Sequence, residues 1–533
     1  MTQFDLVVEN GTIVDGSGSP GYPAAVGVRG GRLEIVRDAV DDEDVARRID
    51  ATGRIVAPGF IDLHSHSGLM IFADPLHEPK VRQGVTTEVI GVDGLSYAPI
   101  PDPADLEALV HMNAGLDGAP VEARPYDWSS VEGYFERLEA LRPSVNLALL
   151  VGNSALRIAA VGWDEVEATP AQLADMRAML REAMTQGAMG VSSGLDYPPG
   201  AFAGTDELAE LTNEAAAHGG FYHTHVRYAL GDRYLDPFRE AIEIGRRGDG
   251  PAHITHFYHR QTFPGGPEPM LALVDDARAA GLDVTFDCYP YEWASTRLLI
   301  MIPPWVQAGG PVATKERLAD ASVRERIRRD LAERGVLYAG RGAWHDVRLG
   351  AFTRRNLVPF EGRTLGDLVD ERGADAVDVL CDVLIEEDLR VNQVTPGPWT
   401  ETLRDFLRHP VGMIGTDSTF IGAKPSPRTY GSYPRVLGQF VREEGVLGLE
   451  EAVRHMTGAP AARLGVPGRG LIRDGYAADL VVFDPDRVRS NATYEEPRRF
   501  PDGIEWVVVG GEVVVAEGSH TGVRSGRVVT THA

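Results

Sequence analysis

The sequence predicts an α/β chain in which a (β/α)8 barrel is inserted into a split β-rich unit. Three observations predict it. About eight short apolar runs recur through the middle of the chain, most of them separated by stretches rich in Ala, Leu, Glu and Arg. The first fifty-odd residues are β-rich, and the same texture returns at the other end. Strands alternating with helices call for a parallel sheet, and about eight such units call for a closed barrel.

Taken in order, "DLVVENGTIVDG" holds two short apolar runs separated by "NG", which predicts a hairpin, and "AVGVRGGRLEIV" repeats the pattern about "GG". From about residue 56 the texture changes. The predicted barrel strands are "GFIDLH", "TTEVIG", "NLALLVG", "MGVSSG", "GFYHTH", "AHITHF", "DVTFDCY" and "VGMIGTD". Stretches such as "AQLADMRAMLREAMTQGA" and "TDELAELTNEAAAHG" read as the helices between them. Residues 300–405, which include "IPPWVQAGG", are long for one barrel connection and are expected to form a lid or insert. The stretch from "GLIRDGYAADLVVFDP" to "IEWVVVGGEVVVAEG" is expected to complete the N-terminal β unit. The expected boundaries are 1–56, 57–465 and 466–533.

The 533 residues fit one large domain with a lesser one. A formal net charge of −26 argues against nucleic acid or an anionic membrane as a partner. Two cysteines, Cys288 and Cys381, imply no disulfide framework and fit a reducing, cytoplasmic setting. The N-terminal segment lacks the basic and apolar regions of a signal peptide. No run of 18 apolar residues is present, so no membrane span is expected. Lysine is limited to Lys80, Lys315 and Lys424.

Residues 59–68 read "GFIDLHSHSG". Strand side chains alternate, so His64 and His66 point the same way, and at the C-terminal mouth of a barrel that way can be inward. Imidazole is a good ligand for zinc and similar ions. One such pair is weak, because many paired histidines are only hydrogen-bonded or solvated. The pair gains weight from its company. His225 ends "YHTH", His256 follows "HIT", and Asp417 follows "MIGT", so four predicted strands finish with ligand-type residues.

At this point the chain resembles the amidohydrolase superfamily, and within it the D-aminoacylase (N-acyl-D-amino-acid deacylase) branch. The resemblance covers nearly the whole chain. It rests on "VAPGFIDLHSHSG", "QGVTTEVIG", "SSGLDYPPGAFA", "YHTHVR", "HITHFYH", "DCYPYEWAST", "VGMIGTDS", "SPRTYGSYPRVLG", "EAVRHMTGAPAARLG" and "RGLIRDGYAADLVVFD". It implies a distorted barrel with a small β-sandwich built from both termini, and metal-dependent amide hydrolysis. It implies His64 and His66 as ligands of the more buried metal position, His225 and His256 as ligands of the second, and Asp417 as the carboxylate after the last strand. The cofactor implied is Zn2+, as one or two divalent ions, with other divalent metals open.

Two departures stand out. Many superfamily members bridge two metals with a modified lysine, yet no lysine lies between Lys80 and Lys315. The D-aminoacylase branch uses a cysteine in "NCG", where this chain has "VDG" and Asp93. Asp93 is the bridging candidate, against the plainer reading of Asp-Gly as a turn. It is harder than a thiolate and admits other divalent ions. The second departure is Tyr258, which stands where the branch has a lysine two residues after the metal-binding histidine.

The implied mechanism uses metal-activated water with Asp417 as general acid and base. Arg428 matches the branch's carboxylate-binding arginine, and Tyr197, Tyr289 and Ser295 its further donors. Tyr258 and His223 are candidates beside them, His223 as an oxyanion donor. His253 and His259 are out of phase with His256 and are expected to support a ligand from behind or to be structural. The expected partner is a small-molecule substrate, with a homo-oligomer left open. Two alternatives also stay open: hydrolysis of a cyclic amide or other N-acyl compound by the same metal site, and a metal-free scaffold.

Overall fold

The computed structural model describes residues 4–37, 41, 44–228, 231–334 and 343–531. Eight parallel strands form its centre: β1 (Phe60–Asp62), β2 (Val85–Ile90), β3 (Asn146–Leu149), β4 (Gly190–Gly194), β5 (Phe221–His225), β6 (Ala252–Ile254), β7 (Val284–Cys288) and β8 (Gly412–Ile414). They coincide with the eight apolar runs. β1, β2 and β3 pair in one sheet. The chain just beyond β3, Val151–Gly152, hands over to β4, and β4 to β8 then pair in sequence. A parallel bridge between Ser65 and Ser418 joins the first strand to the last beyond their C-terminal ends. There the Asp417 N–H donates to the His64 carbonyl at 2.9 Å. All eight strands are buried along their length, as parallel strands covered on both faces must be.

The helices between strands follow from their patterning. Pro170–Thr185, between β3 and β4, starts at a Thr169/Gln172 capping box and buries Met176, Leu180, Ala183 and Met184, one face of a 3.6-residue repeat. Thr205–Ala217, Asp236–Arg247 and Glu268–Ala279 fill the next three connections. Between β7 and β8 the chain builds an antiparallel sheet from Trp293–Arg297, Asn392–Pro396 and Arg348–Gly350. Helices Gly310–Ala319, Ala321–Arg334, Leu365–Arg372 and Ala376–Glu386 accompany it, and Leu298, Leu318, Val347, Leu365 and Leu380 share an apolar cluster there.

Two further sheets collect the chain ends. One orders Arg32–Val36, Ala25–Arg29, Leu6–Glu9 and Arg48–Asp50; the other pairs Leu480–Phe483 with Ile55–Pro58 and carries Ile504–Val509 and Glu512–Ala516 beyond it. Val8, Val26, Leu33, Val56, Leu480 and Val508, drawn from both sheets, lie in one apolar cluster. The "GG" hairpin forms, with Arg29 opposite Arg32 and both Gly30 and Gly31 at positive φ. The "NG" hairpin does not. Leu6–Glu9 and Thr12–Ile13 belong to different sheets, and Asn10, at φ 64°, turns the chain from one to the other. Among the described residues no helix is long and apolar enough to cross a membrane.

Candidate metal centre

Six predicted ligands converge beyond the C-terminal ends of the strands. His64 and His66 follow β1 at two-residue steps, and His225 is the last residue of β5. Asp93, His256 and Asp417 instead lie two or three residues past β2, β6 and β8, with φ of 53°, 34° and 47°. The left-handed backbone turns each side chain back over the barrel mouth. Space for Asp93 is left by Gly194, where a Cβ would stand 1.9 Å from the Asp93 carbonyl oxygen.

The distances fit a metal. His64 Nε2 and His66 Nε2 lie 3.3 and 3.6 Å from Asp93 Oδ2, and 3.6 and 3.3 Å from Asp417 Oδ1. His225 Nδ1 and His256 Nε2 lie 3.6 and 3.7 Å from the same Asp93 Oδ2. Donors around a tetrahedral zinc at ~2.0–2.1 Å stand about 3.3 Å apart. His66 Nε2 is buried without a hydrogen-bond partner among the described residues. The donors therefore form two groups, His64–His66–Asp93–Asp417 and Asp93–His225–His256, with Asp93 common to both. Imidazole with carboxylate suits zinc and also harder divalent ions.

Groups that sequence reasoning did not single out hold these ligands. Asp117 Oδ1 lies 2.8 Å from His66 Nδ1, and the Tyr97 hydroxyl donates to the same carboxylate. Asp196 Oδ2 lies 2.9 Å from His225 Nε2, and the Tyr228 hydroxyl 2.9 Å from His256 Nδ1. Asp287, on β7, accepts the His256 N–H at 2.9 Å and faces His64 Nδ1 at 3.5 Å and His253 Nε2 at 3.0 Å. Carboxylates behind imidazoles fix ring orientation and raise ligand basicity. Asp196 and Asp287 sit inside quoted motifs, so motif context was the available signal; Asp117 lies in a loop that carried none. Lys80, on the helix Glu78–Val81, pairs with Asp62 at the end of β1 and with Glu88 of β2 at 3.0 Å. Asp62 also accepts the Thr416 N–H at 3.0 Å, tying β1 to β8.

The electrostatics follow. Burial opposes charge on His64, but Asp93, Asp417 and Asp287 hold it up at about 10. Against the same burial, Asp196 and Asp93 hold His225 at about 9, and Asp117 holds His66 well above its ordinary range. Burial would raise Asp93, yet His64, His225 and His256 keep it well below the usual carboxylate range. Arg428 and His64 likewise lower Asp417 against burial.

Beside the ligands is a small cavity lined by Asp93, His225, His256, Asp417 and a polar wall of Tyr197, Tyr258, Tyr289 and Ser295. Arg428 is fully buried behind it. Its Nη1 lies 2.8 Å from Asp417 Oδ2, its Nη2 donates to the Ser295 carbonyl at 2.9 Å, and its guanidinium sits 4.4 Å from the Tyr289 ring centre. A larger groove of about 1330 Å³, walled in part by Leu195, Phe202 and Ile300–Pro304, lies alongside and shares Tyr228 with the cavity.

His223 does not reach this cavity. It is in phase with His225 but two residues, ~6.6 Å, deeper in the barrel. There it stacks on His253 at 5.2 Å and meets the edge of His64 at 5.5 Å, so it faces core and not substrate. Burial and its neighbours His253 and His64 push its pKa well down. His253 supports Asp287, and His259 packs beside Trp399.

The amidohydrolase family matches residues 47–515. A D-aminoacylase of Alcaligenes xylosoxydans xylosoxydans is 35% identical over 540 residues, covering 99% of this chain and 98% of its own. The solved structure of a D-aminoacylase with a binuclear metal centre superposes with a TM-score of 0.83 at 33% identity, over 99% of this chain and 100% of the other. That of an N-acyl-D-glutamate deacylase from Bordetella bronchiseptica, complexed with zinc and a phosphonate mimic of the tetrahedral intermediate, has a TM-score of 0.81 at 32% identity over the same shares. With the eight-stranded ring and its histidine–aspartate cluster, these matches establish that the chain belongs to the amidohydrolase family.

Proposed function

We propose that the chain is a metal-dependent deacylase that hydrolyses N-acyl-D-amino acids. The observation that carries this is the position of Asp417. One carboxylate oxygen faces the Nε2 atoms of His64 and His66, and the other lies against the guanidinium of Arg428. The group able to move a proton thus stands between the metal ligands and a cation suited to a substrate carboxylate.

His64, His66, Asp93 and Asp417 would hold one divalent ion, and Asp93, His225 and His256 a second. A bound ion supplies polarisation of the scissile carbonyl and a more acidic water. Asp417 takes the proton of the attacking water and hands it to the amide nitrogen, which leaves only once protonated. Arg428, with Tyr197, Tyr289, Ser295 and Tyr258, receives the carboxylate end. The apolar wall at Ile300–Pro304 suits the acyl group in the neighbouring groove. Preference for the D hand is supported by the D-amino-acid activities named for both relatives.

Within the same proposal, the two terminal sheets form one small β-sandwich beside the barrel, bounded near 56 and 466, and residues 300–405 cap the mouth. The two buried, unpaired thiols fit a cytoplasmic setting.

The test is hydrolysis of matched N-acetyl-D- and N-acetyl-L-amino acids by protein loaded with zinc, cobalt or manganese. Turnover of the D series alone is expected. Turnover confined to cyclic amides, or none with metal bound, overturns the proposal.

A further inference from the structure

We infer that Arg260, acting through Tyr258, supplies the second positive charge for the substrate's α-carboxylate; the inference rests on the deacylase reading above. Tyr258 replaces a lysine of the D-aminoacylase branch, and a phenol alone does not replace an ammonium. The structure places a cation two residues further along, Arg260, against the Tyr258 hydroxyl.

A hydroxyl has one proton to donate and two lone pairs. At Tyr258 both lone pairs are engaged. The Tyr289 hydroxyl donates to its oxygen at 2.7 Å, and Arg260 Nη2 donates at 2.9 Å. What remains is the phenol's own proton, on a side chain that lines the cavity beside Asp93 and Asp417. Tyr258 and Arg260 are 3% and 5% exposed, so neither is a surface group that happens to lie nearby. The guanidinium is held between two rings, 5.1 Å from the centre of Tyr228 and 5.0 Å from that of Tyr258. On the other side of the same aromatic wall, Arg428 lies 4.4 Å from the Tyr289 ring centre. Tyr258 and Tyr289 therefore stand between two guanidinium groups, hydrogen-bonded to each other and, through Tyr258, to Arg260, with Arg428 against the Tyr289 ring.

The chemistry follows from that arrangement. A cation donating to a phenol oxygen draws density from its O–H and strengthens the bond that O–H donates onward. A carboxylate entering the cavity meets Arg428 and a polarised Tyr258 hydroxyl. A neutral carboxamide in the same place gains less from both, because a charge-assisted hydrogen bond is roughly twice as strong as a neutral one. Arg260 also lines the cavity; its role here is that of a positioning residue, acting on substrate through the hydrogen bond it gives Tyr258.

The experiment compares N-acetyl-D-amino acids with their carboxamide counterparts on metal-loaded protein. The wild type is expected to favour the carboxylate. Arg260→Met should shrink the carboxylate-to-carboxamide ratio of kcat/KM by about tenfold to a hundredfold, mostly through KM. Arg260→Lys should recover most of it. Tyr258→Phe should cost a similar amount, and the double variant no more than either single one, because both break one relay. An unchanged ratio in Arg260→Met, a lysine variant no better than methionine, or additive losses overturn the inference. So does a loss confined to substrates with acidic side chains, which would move Arg260 to a different carboxylate. A wild type that hydrolyses both forms equally well leaves the deacylase reading standing and sinks the subsite; one that hydrolyses neither sinks both.

Discussion

Asp93→Asn isolates the charge of the shared ligand. Asparagine keeps the shape and tolerates the left-handed backbone at φ 53°, so strain is not the variable. The aspartate's Oδ2 faces four imidazole nitrogens at 3.3, 3.6, 3.6 and 3.7 Å. Without the carboxylate, the His225–His256 group keeps two donors, and the His64–His66–Asp417 group keeps three. Three protein ligands are enough for a catalytic zinc site and two are not. The variant should therefore lose the ion at His225 and His256 and retain a weakened one at His64 and His66. Removing one member of a buried, hydrogen-bonded charge pair costs about 3–5 kcal/mol, a factor of between about a hundred and a few thousand in affinity. Competition against a chelator followed by elemental analysis reads both the count and the constant. Asp93→Asn holding as much metal as the wild type, within about threefold in affinity, would refute the bridging role and return "VDG" to a simple turn.

Three further outcomes are expected. Asp117→Asn removes the carboxylate 2.8 Å behind His66 and should weaken metal binding about 10–100-fold without unfolding the protein; a chelator titration unchanged from wild type contradicts it. Asp417→Asn should lower kcat by about 10²–10⁴ at retained metal content, since His64, His66 and Asp93 remain; a variant within tenfold of wild type under those conditions removes Asp417 from proton transfer. In the metal-free protein His64 and His225 are held up at about 10 and about 9 from an ordinary 6.5. Stability gained from a raised pKa is full below about 6.5 and lost as pH rises through the folded value, so the metal-free melting temperature should fall between about pH 7 and 10. Metal binding must expel the same protons, so loading should tighten over that window; a flat melting profile together with pH-independent loading contradicts this.

The strands were legible because each is short, apolar and buried on both faces, which leaves the same mark wherever it falls in the chain. The "NG" turn was not, because a local turn signal says that the chain reverses and not which sheet the next strand joins. Alternation explains His64, His66 and His225. His256 and Asp417 read as ligand-type residues finishing their strands, although they lie just past them, and family resemblance places Asp93. Alternation also misassigned His223, since a period of two fixes the face and leaves depth undetermined. Asp117, Asp287 and Arg260 reach the centre from three separate loops and strands. Their roles exist only once the ring has closed.

The barrel strands share an apolar cluster that includes Ile61, Val89, Ala148, Met189, Phe221 and Met413, and the buried side chains turn polar towards the mouth. His253, Asp287 and His223 form one polar group and the six candidate ligands lie beyond it, while Lys80, on the helix Glu78–Val81, pairs with Asp62 and Glu88. Buried polar groups are costly unless paired, and most of these are paired with one another across neighbouring strands. That pairing constrains the ligands. Three of the six occupy left-handed backbone at a cost of about 1–3 kcal/mol each. Asp417 is held by its N–H on the His64 carbonyl, and His256 by its N–H on Asp287. A loop free to relax would leave that conformation. These two cannot do so without breaking bonds to β7 or to the segment that carries His64. Two of the candidate ligands, Asp417 and His256, are thus held in place by hydrogen bonds of the barrel itself. An ion entering this site meets donors already at coordinating separation, and what it must displace is protons rather than structure.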